Sequence, residues 1–110
     1  MSTILQTFPN PDPTQSYQVK IAPPECETQC PESETETANL IITYVPNKMC
    51  LETNSVTAFW LSFKDSGLFY EEKSLKIFQE IKKTIAPKYL LVKTIHTLQD
   101  GTSTSIAVEL

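Results

Sequence analysis

The sequence predicts a small α+β domain in which one antiparallel sheet carries two helices on one face. Three observations indicate this: two early segments alternate apolar and polar residues, the middle of the chain has helical spacing, and the last part has the pattern of a hairpin. The predicted order is strand-strand-helix-helix-strand-strand. A chain of 110 residues is long enough for one domain with a modest core.

The first two strands are predicted from apolar alternation. Tyr17, Val19 and Ile21 alternate with polar residues until Pro23 and Pro24 stop the strand. The second strand is predicted over residues 38–45, with Leu40, Ile42 and Tyr44 on one face, and residues 49–52 are expected to continue it after a turn. The acidic, polar loop between the two strands carries Cys26 and Cys30.

The two helices are predicted from apolar spacing. From Ser55 the apolar residues fall at i, i+3, i+4 and i+7, at Val56, Phe59, Trp60 and Phe63, and Gly67 is expected to help end this helix. A second helix is predicted over residues 71–86. Its predicted inward residues are Leu75, Phe78, Ile81 and Ile85.

The last hairpin is predicted from residues 89–98, an Asp100-Gly101 turn and residues 102–108. At the other end, Pro9, Pro11 and Pro13 stand among polar residues. The sequence therefore predicts a flexible N-terminal arm over residues 1–16 and a single domain over residues 17–110.

Composition restricts the function classes. The net charge of −4 and the absence of arginine argue against broad phosphate binding and exclude guanidinium clamps. No apolar run is long enough to span a membrane, and the N-terminus lacks a signal-peptide pattern, so we expect a cytoplasmic protein with no membrane partner. Three cysteines fit a reducing compartment.

Cys30 is the candidate nucleophile. It is followed by Pro31 in a polar loop, where a thiol is not core, and Glu36 is near enough in sequence to act as its acid or base. Glu32 and Glu34 would raise the thiol pKa, which is an objection, and an exposed thiol without a role is the alternative.

Other polar residues have simpler alternatives. Glu52 and Glu71 could each accept hydrogen bonds from a guanine-like ring, although a glutamate at such a position is often only a helix-start charge. Cys26, Cys30, Cys50 and His96 have poor spacing for zinc, so no metal site is predicted. Cys50 is expected to be a buried thiol, and His96 to be solvent-facing or structural.

Several of these motifs together resemble the QueF family of 7-cyano-7-deazaguanine (preQ0) reductases. The matching segments are Cys30-Pro31, ANLIITYVP over residues 38–46, Glu52, SFKDSGLFYEE over residues 62–72, and Pro87-Lys88-Tyr89. The resemblance implies the tunnelling fold (T-fold), in which strand-strand-helix-helix-strand-strand subunits form rings. It therefore also implies a ring-shaped homo-oligomer.

The resemblance implies roles for five residues. Cys30 matches the nucleophile that adds to the nitrile carbon and forms a covalent thioimide. Glu36 matches an aspartate that shuttles protons for that cysteine, if the loop here is one residue shorter. Glu52 and Glu71 match the glutamates that hold the deazaguanine ring, and Tyr70 stands where the family has a histidine in the substrate pocket.

The NADPH motif of the reductases is missing. The family follows the Glu52 position with E-S-K-S-h-K, whereas this chain has Asn54 and Thr57 in place of the two lysines. Losing two cations removes the attraction for an anionic cofactor, so no cofactor is expected. The run Lys73-Ser74-Leu75-Lys76 imitates the motif out of register and is predicted to be a solvated helix face.

Three hypotheses follow from the resemblance and its gaps. The first is a QueF-like amidinotransferase that converts preQ0 in tRNA to archaeosine with ammonia. The second is an NADPH-dependent preQ0 reductase of queuosine biosynthesis with a divergent cofactor site. The third is a non-catalytic purine- or pterin-binding tunnelling-fold protein. The substrate could be the base or nucleotide, in tRNA or DNA.

Overall fold

The computed structural model describes residues 4–29, 35–64 and 66–110. Seven strands and two helices are assigned among these residues. In order they are β1 (Thr7–Pro9), β2 (Val19–Ile21), β3 (Cys26–Gln29), β4 (Thr35–Val45), β5 (Met49–Leu51), α1 (Thr53–Leu61), α2 (Tyr70–Ile85), β6 (Tyr89–Leu98) and β7 (Ser103–Glu109). The predicted strand-strand-helix-helix-strand-strand order is confirmed by β2, β4, α1, α2, β6 and β7.

The main sheet is antiparallel and is centred on β4 and β6, the two long strands. They pair over ten residues, from Glu36 opposite Leu98 to Val45 opposite Tyr89. β7 pairs with the outer edge of β6, while β2 and β3 pair with the two halves of the other edge of β4. The loop predicted before β4 therefore contains a short strand, and β4 begins three residues earlier than predicted.

The core lies between this sheet and the two helices. Leu40, Ile42 and Tyr44 of β4 are buried, as predicted, against Val56 and Trp60 of α1. On α2 the buried apolar residues are Ile77, Phe78, Ile81 and Ile85.

Two predictions about α2 were wrong. Leu75 is 47% exposed instead of facing the core. Lys73 and Ser74, predicted on a solvated face, are 1% and 0% exposed. The helix is rotated so that its polar N-terminal residues, and not Leu75, lie over the sheet.

The N-terminal arm also differs from its prediction, because part of it is anchored to the domain. β1 pairs antiparallel with β5 in a separate two-stranded sheet, with Phe8 opposite Cys50. Leu5 and Asn10 are buried, and the Asn10 side chain donates to the Asn47 carbonyl over 2.8 Å. These contacts hold residues 5–10 in place, so the predicted flexible arm does not include these residues.

Within the three described ranges, no helix is both long and apolar enough to cross a bilayer.

Candidate active site

The helix-facing surface of the sheet changes from apolar to polar at one end. Leu90 and Val92 of β6 are buried, and the next two residues on the same face are Thr94 and His96, which are also 0% exposed. Glu36 of β4 lies at the same end and is 2% exposed. His96 Nδ1 lies 3.4 Å from Glu36 Oε1, which is ion-pair distance but long for a hydrogen bond.

The first turn of α2 covers this pair. The Tyr70 ring stacks on the His96 imidazole with a centroid separation of 4.1 Å and an interplanar angle of 8°. The helix begins there because Phe69 is extended and its N–H donates to Glu72 Oε1 over 3.1 Å, which is one half of a capping box. Tyr70 of α2 therefore lies against the imidazole of His96, which comes from β6.

Hydroxyl groups continue the polar cluster from His96 into α2. His96 Nε2 lies 3.1 Å from Thr94 Oγ1, and Thr94 Oγ1 lies 2.7 Å from Ser74 Oγ. Ser74 Oγ donates to the Tyr70 carbonyl over 2.8 Å. Such buried hydrogen bonds hold side chains in fixed positions because each lost partner leaves a costly buried polar group.

Charge and burial act in opposite directions on His96. Burial lowers the pKa of the imidazole, the Glu36 carboxylate raises it, and the Lys73 ammonium lowers it. Glu71 is close enough to add a weaker effect that raises the His96 pKa. The net direction is downward, which favours a neutral imidazole near pH 7.

Cys26 lies on the same face, one strand beyond this pair. It is opposite Ala38, and Ala38 is opposite His96, so all three side chains point to the helices. Burial raises the pKa of the Cys26 thiol, while Lys73 and Lys64 lower it by a smaller amount. Cys26 is therefore a partly buried thiol that is held mainly in its protonated form.

Cys30, the predicted nucleophile, lies outside the described residues. The described residues on either side are Gln29, which ends β3, and Thr35, which begins β4, and these two are opposite each other. Glu36 follows Thr35 directly. The chain thus enters and leaves the Cys30 connection next to the buried Glu36 carboxyl.

Glu52 lies far from Glu36 within one chain. Leu51, the preceding residue, donates its N–H to Tyr44 Oη over 2.9 Å. Tyr44 is eight residues along β4 from Glu36, about 26 Å at the usual rise of a strand, and its side chain stands across the strand direction. Glu52 itself is half-buried and caps α1 by accepting a hydrogen bond from the Asn54 N–H.

Glu71 lies with the Glu36 end of the molecule. It is exposed in the first turn of α2, next to Tyr70. The structure therefore brings Glu36, Tyr70 and Glu71 to one end of the sheet and places Glu52 at the other.

Three members of the polar cluster were missed by sequence reasoning: Ser74, Thr94 and His96. The parity of β6 is a signal that could have found two of them, because Leu90, Val92, Thr94 and His96 share one face. The alternative of a solvent-facing His96 was wrong, since that residue is fully buried.

Cys50 and the possibility of a metal site remain to be described. Cys50 is buried, as predicted, and its sulfur lies 3.7 Å from Tyr17 Oη. In the part of the chain that the structure describes, no group of three or more His, Cys, Asp or Glu residues could hold a metal ion.

These features define an α+β domain with a buried acid–imidazole pair below a helix N-terminus. A family model described as QueF-like protein matches residues 36–110. Three similar proteins, each named NADPH-dependent 7-cyano-7-deazaguanine reductase, come from Chloroherpeton thalassium, Magnetococcus marinus and Anaeromyxobacter sp.. Their identities are 30%, 32% and 33%, over 94%, 96% and 93% of this chain and 90%, 84% and 84% of theirs.

A solved structure supports the same fold. The apo archaeosine synthase QueF-Like matches with a TM-score of 0.63 and 17% identity, over 86% of this chain and 91% of that one. The chain has the tunnelling fold, and it belongs to the QueF family of nitrile-processing enzymes.

Proposed function

We propose that this protein is an amidinotransferase that converts the nitrile of 7-cyano-7-deazaguanine, carried in tRNA, to the amidine of archaeosine with ammonia. Cys30 is the nucleophile and Glu36 carries protons for it. Glu52 and Glu71 bind the deazaguanine ring, and Tyr70 lines the pocket. The reaction adds one ammonia to one nitrile and needs no redox cofactor.

The first half of the reaction forms a thioimide. The Cys30 sulfur adds to the nitrile carbon, one carbon–nitrogen π bond breaks, and the nitrogen takes a proton. Glu36 supports the role of proton carrier because its carboxyl is buried beside His96 instead of being solvated.

The second half releases the amidine. Ammonia adds to the thioimide carbon and loses a proton, and the carbon–sulfur bond breaks to return the Cys30 thiol. The ammonia nitrogen loses one proton and the sulfur takes up one proton, so the protons balance. In this proposal Glu36 accepts the first and supplies the second.

The observation that favours ammonia over hydride is the composition of α1. The helix has Asn54 and Thr57 where the reductase motif has lysines, and none of its nine residues is charged. Glu52, at its N-cap, adds a negative charge. A phosphate-bearing cofactor would therefore meet an unfavourable field at this helix.

A second candidate is an NADPH-dependent reductase. It is favoured by the identity of about one third to proteins named as such reductases across nearly the whole chain. A nitrile-to-amine reduction takes two hydrides from NADPH after the same thioimide forms. The two candidates therefore share Cys30 and Glu36 and differ only in what attacks the thioimide.

Identification of the product separates the two candidates. The protein is incubated with tRNA containing 7-cyano-7-deazaguanine, or with the free base, and with either an ammonium salt or NADPH. We expect a product heavier by one ammonia from the tRNA substrate, and no NADPH oxidation. Steady NADPH oxidation with a product heavier by four hydrogens would contradict the amidinotransferase.

The proposed site also calls for two copies of the chain. Glu52 is too far from Glu36 and Glu71 of its own chain for one ring to contact all three. We infer that Glu52 of one subunit completes the site of the next in a homo-oligomeric ring. Mixing unfolded Glu52→Ala and Glu36→Ala chains and refolding them together should restore part of the activity, whereas refolding either variant alone should not.

A further inference from the structure

The Glu36–His96 pair is the most deeply buried acid–base contact in the described part of the chain. Glu36 is 2% exposed and His96 is 0% exposed, and neither belongs to the hydrophobic core cluster. Burying two ionisable groups is costly, and replacing such a pair by apolar residues is often neutral or stabilising. A role beyond packing is the better explanation for keeping them.

The hydroxyl groups beyond His96 fix which imidazole nitrogen carries the proton. A carbonyl only accepts, so the single Ser74 hydroxyl proton goes to the Tyr70 carbonyl. Thr94 must then donate its own proton to Ser74. With that proton used, Thr94 can only accept from His96, so Nε2 carries hydrogen.

With hydrogen on Nε2, a neutral imidazole leaves Nδ1 as a bare acceptor that faces Glu36 at 3.4 Å, and burial, which lowers the His96 pKa, favours that neutral form. An ionised carboxylate and a bare imidazole nitrogen are both acceptors, and neither could donate to the other. A proton on Glu36 resolves the conflict, since Glu36 can then donate to Nδ1.

We propose that His96 is a positioning residue which, through its bare Nδ1, keeps one proton on Glu36 and so maintains Glu36 as the acid for the nitrile nitrogen. This inference rests on the proposed function. When the Cys30 sulfur adds to the nitrile carbon, Glu36 gives its proton to the nitrogen and takes the thiol proton in return. One sulfur–carbon bond and one nitrogen–hydrogen bond form, the sulfur–hydrogen bond and one π bond break, and nothing is oxidised.

The groups around His96 favour its neutral form. Glu36 faces it from β4, and Tyr70, Glu71 and Lys73 face it from α2. Lys73 opposes a second positive charge, and the Tyr70 ring covers one face of the imidazole. The lowered pKa of His96 agrees with a neutral imidazole.

Nitrogen NMR tests the proton position directly, because His96 is the only histidine in the chain. Protein labelled with ¹⁵N-histidine gives one imidazole, whose two nitrogens report the tautomer at pH 7. We expect a protonated Nε2 and an unprotonated Nδ1. A protonated Nδ1, alone or in an imidazolium, would overturn the inference.

The rate of covalent adduct formation with 7-cyano-7-deazaguanine tests the role. We expect His96→Gln to slow adduct formation by up to about 100-fold, the lower end of what a general acid contributes. Losing Nδ1 removes the acceptor that faces the Glu36 carboxyl, so the pH dependence of the rate should also differ from that of the wild type. Thr104→Ala, a change opposite His96 on β7, is the matched control and should keep the wild-type rate.

The outcomes separate this inference from the proposed function. A wild-type protein that forms no adduct contradicts the proposed function, while the NMR result still decides the proton position. Adduct formation by folded His96→Gln at the wild-type rate and pH profile contradicts the role of His96. If His96→Gln does not fold, His96→Asn is measured instead. Its side-chain oxygen is an acceptor that reaches the Nδ1 position, so His96→Asn should keep the wild-type rate and pH profile, and a folded His96→Asn that loses either would contradict the role of His96.

Discussion

Ser74→Ala and Thr94→Val each remove one partner of the Ser74–Thr94 hydrogen bond, and each should destabilise the protein. The double variant should lose less stability than the sum of the two single losses. Ser74→Ala removes a hydroxyl that accepts from Thr94 and donates to the Tyr70 carbonyl, at 2.7 and 2.8 Å. Thr94→Val nearly keeps the volume but leaves both Ser74 and His96 Nε2 without this partner. All three side chains are 0% exposed.

The magnitudes follow from that burial. Leaving a buried polar group without a partner costs about 1–3 kcal/mol, so each single change should lower the free energy of unfolding by about that amount, with Thr94→Val the larger. The double variant should lose about 1 kcal/mol less than the sum, because each change removes a group that the other orphans.

Urea unfolding of the four proteins gives this coupling energy from the midpoints. Single-variant losses that add within about 0.3 kcal/mol, the usual behaviour of independent sites, would refute the hydrogen-bonded cluster.

Three further predictions follow from the same structure. Burial holds the His96 pKa below 6.5, so below that pH the unfolded chain binds a proton that the folded chain does not bind. Urea unfolding should therefore show stability falling from pH 7 to pH 5.5, by at most about 1.4 kcal/mol per pH unit, and the part of the fall due to this histidine should be absent in His96→Gln. Ala86 ends α2 with a φ of 43°, so Ala86→Gly should raise the unfolding free energy by about 0.5–1 kcal/mol, whereas Ala58→Gly inside α1 should lower it by about 1 kcal/mol; equal signs would be inconsistent with the left-handed cap. Asn54→Lys combined with Thr57→Lys should raise NADPH affinity about tenfold or more in a fluorescence titration, and an unchanged affinity would show that these positions do not face the cofactor.

The strand and helix order could be predicted because it rests on local patterns. β6 begins and ends at the predicted residues, 89 and 98, since its alternation and the preceding Pro87 both mark the boundary. α2 differs from its prediction by one residue at each end. Such patterns need no knowledge of what packs against them.

The rotation of α2 and the anchoring of the N-terminal segment could not be read from local patterns. Lys73 and Ser74 are buried because the polar end of the sheet, with Thr94 and His96, lies beneath them. A lysine in a helix otherwise predicts a solvent-facing position. Similarly, β1 is ordered by pairing with β5, more than 40 residues away in the chain.

The candidate site was predictable where it depends on residue type and not where it depends on three-dimensional position. The short distance in sequence from Cys30 predicts Glu36, and the structure adds that His96, sixty residues later, lies beside it. At Tyr70 the sequence indicates the loss of a histidine, yet the His96 imidazole stacks on the Tyr70 ring at a centroid separation of 4.1 Å. The separation of Glu52 from Glu71 likewise depends on the direction of β4 and α2.

Intact-mass analysis after incubation with 7-cyano-7-deazaguanine tests the central claim most directly. The account predicts that the protein gains the mass of one base, that Cys30→Ala abolishes this gain, and that the matched change Cys26→Ala leaves it. Adding ammonium should release the base as the amidine and restore the free protein mass. A wild-type protein that forms no adduct with the free base or with tRNA carrying it, or an adduct that survives Cys30→Ala, would contradict the thioimide mechanism.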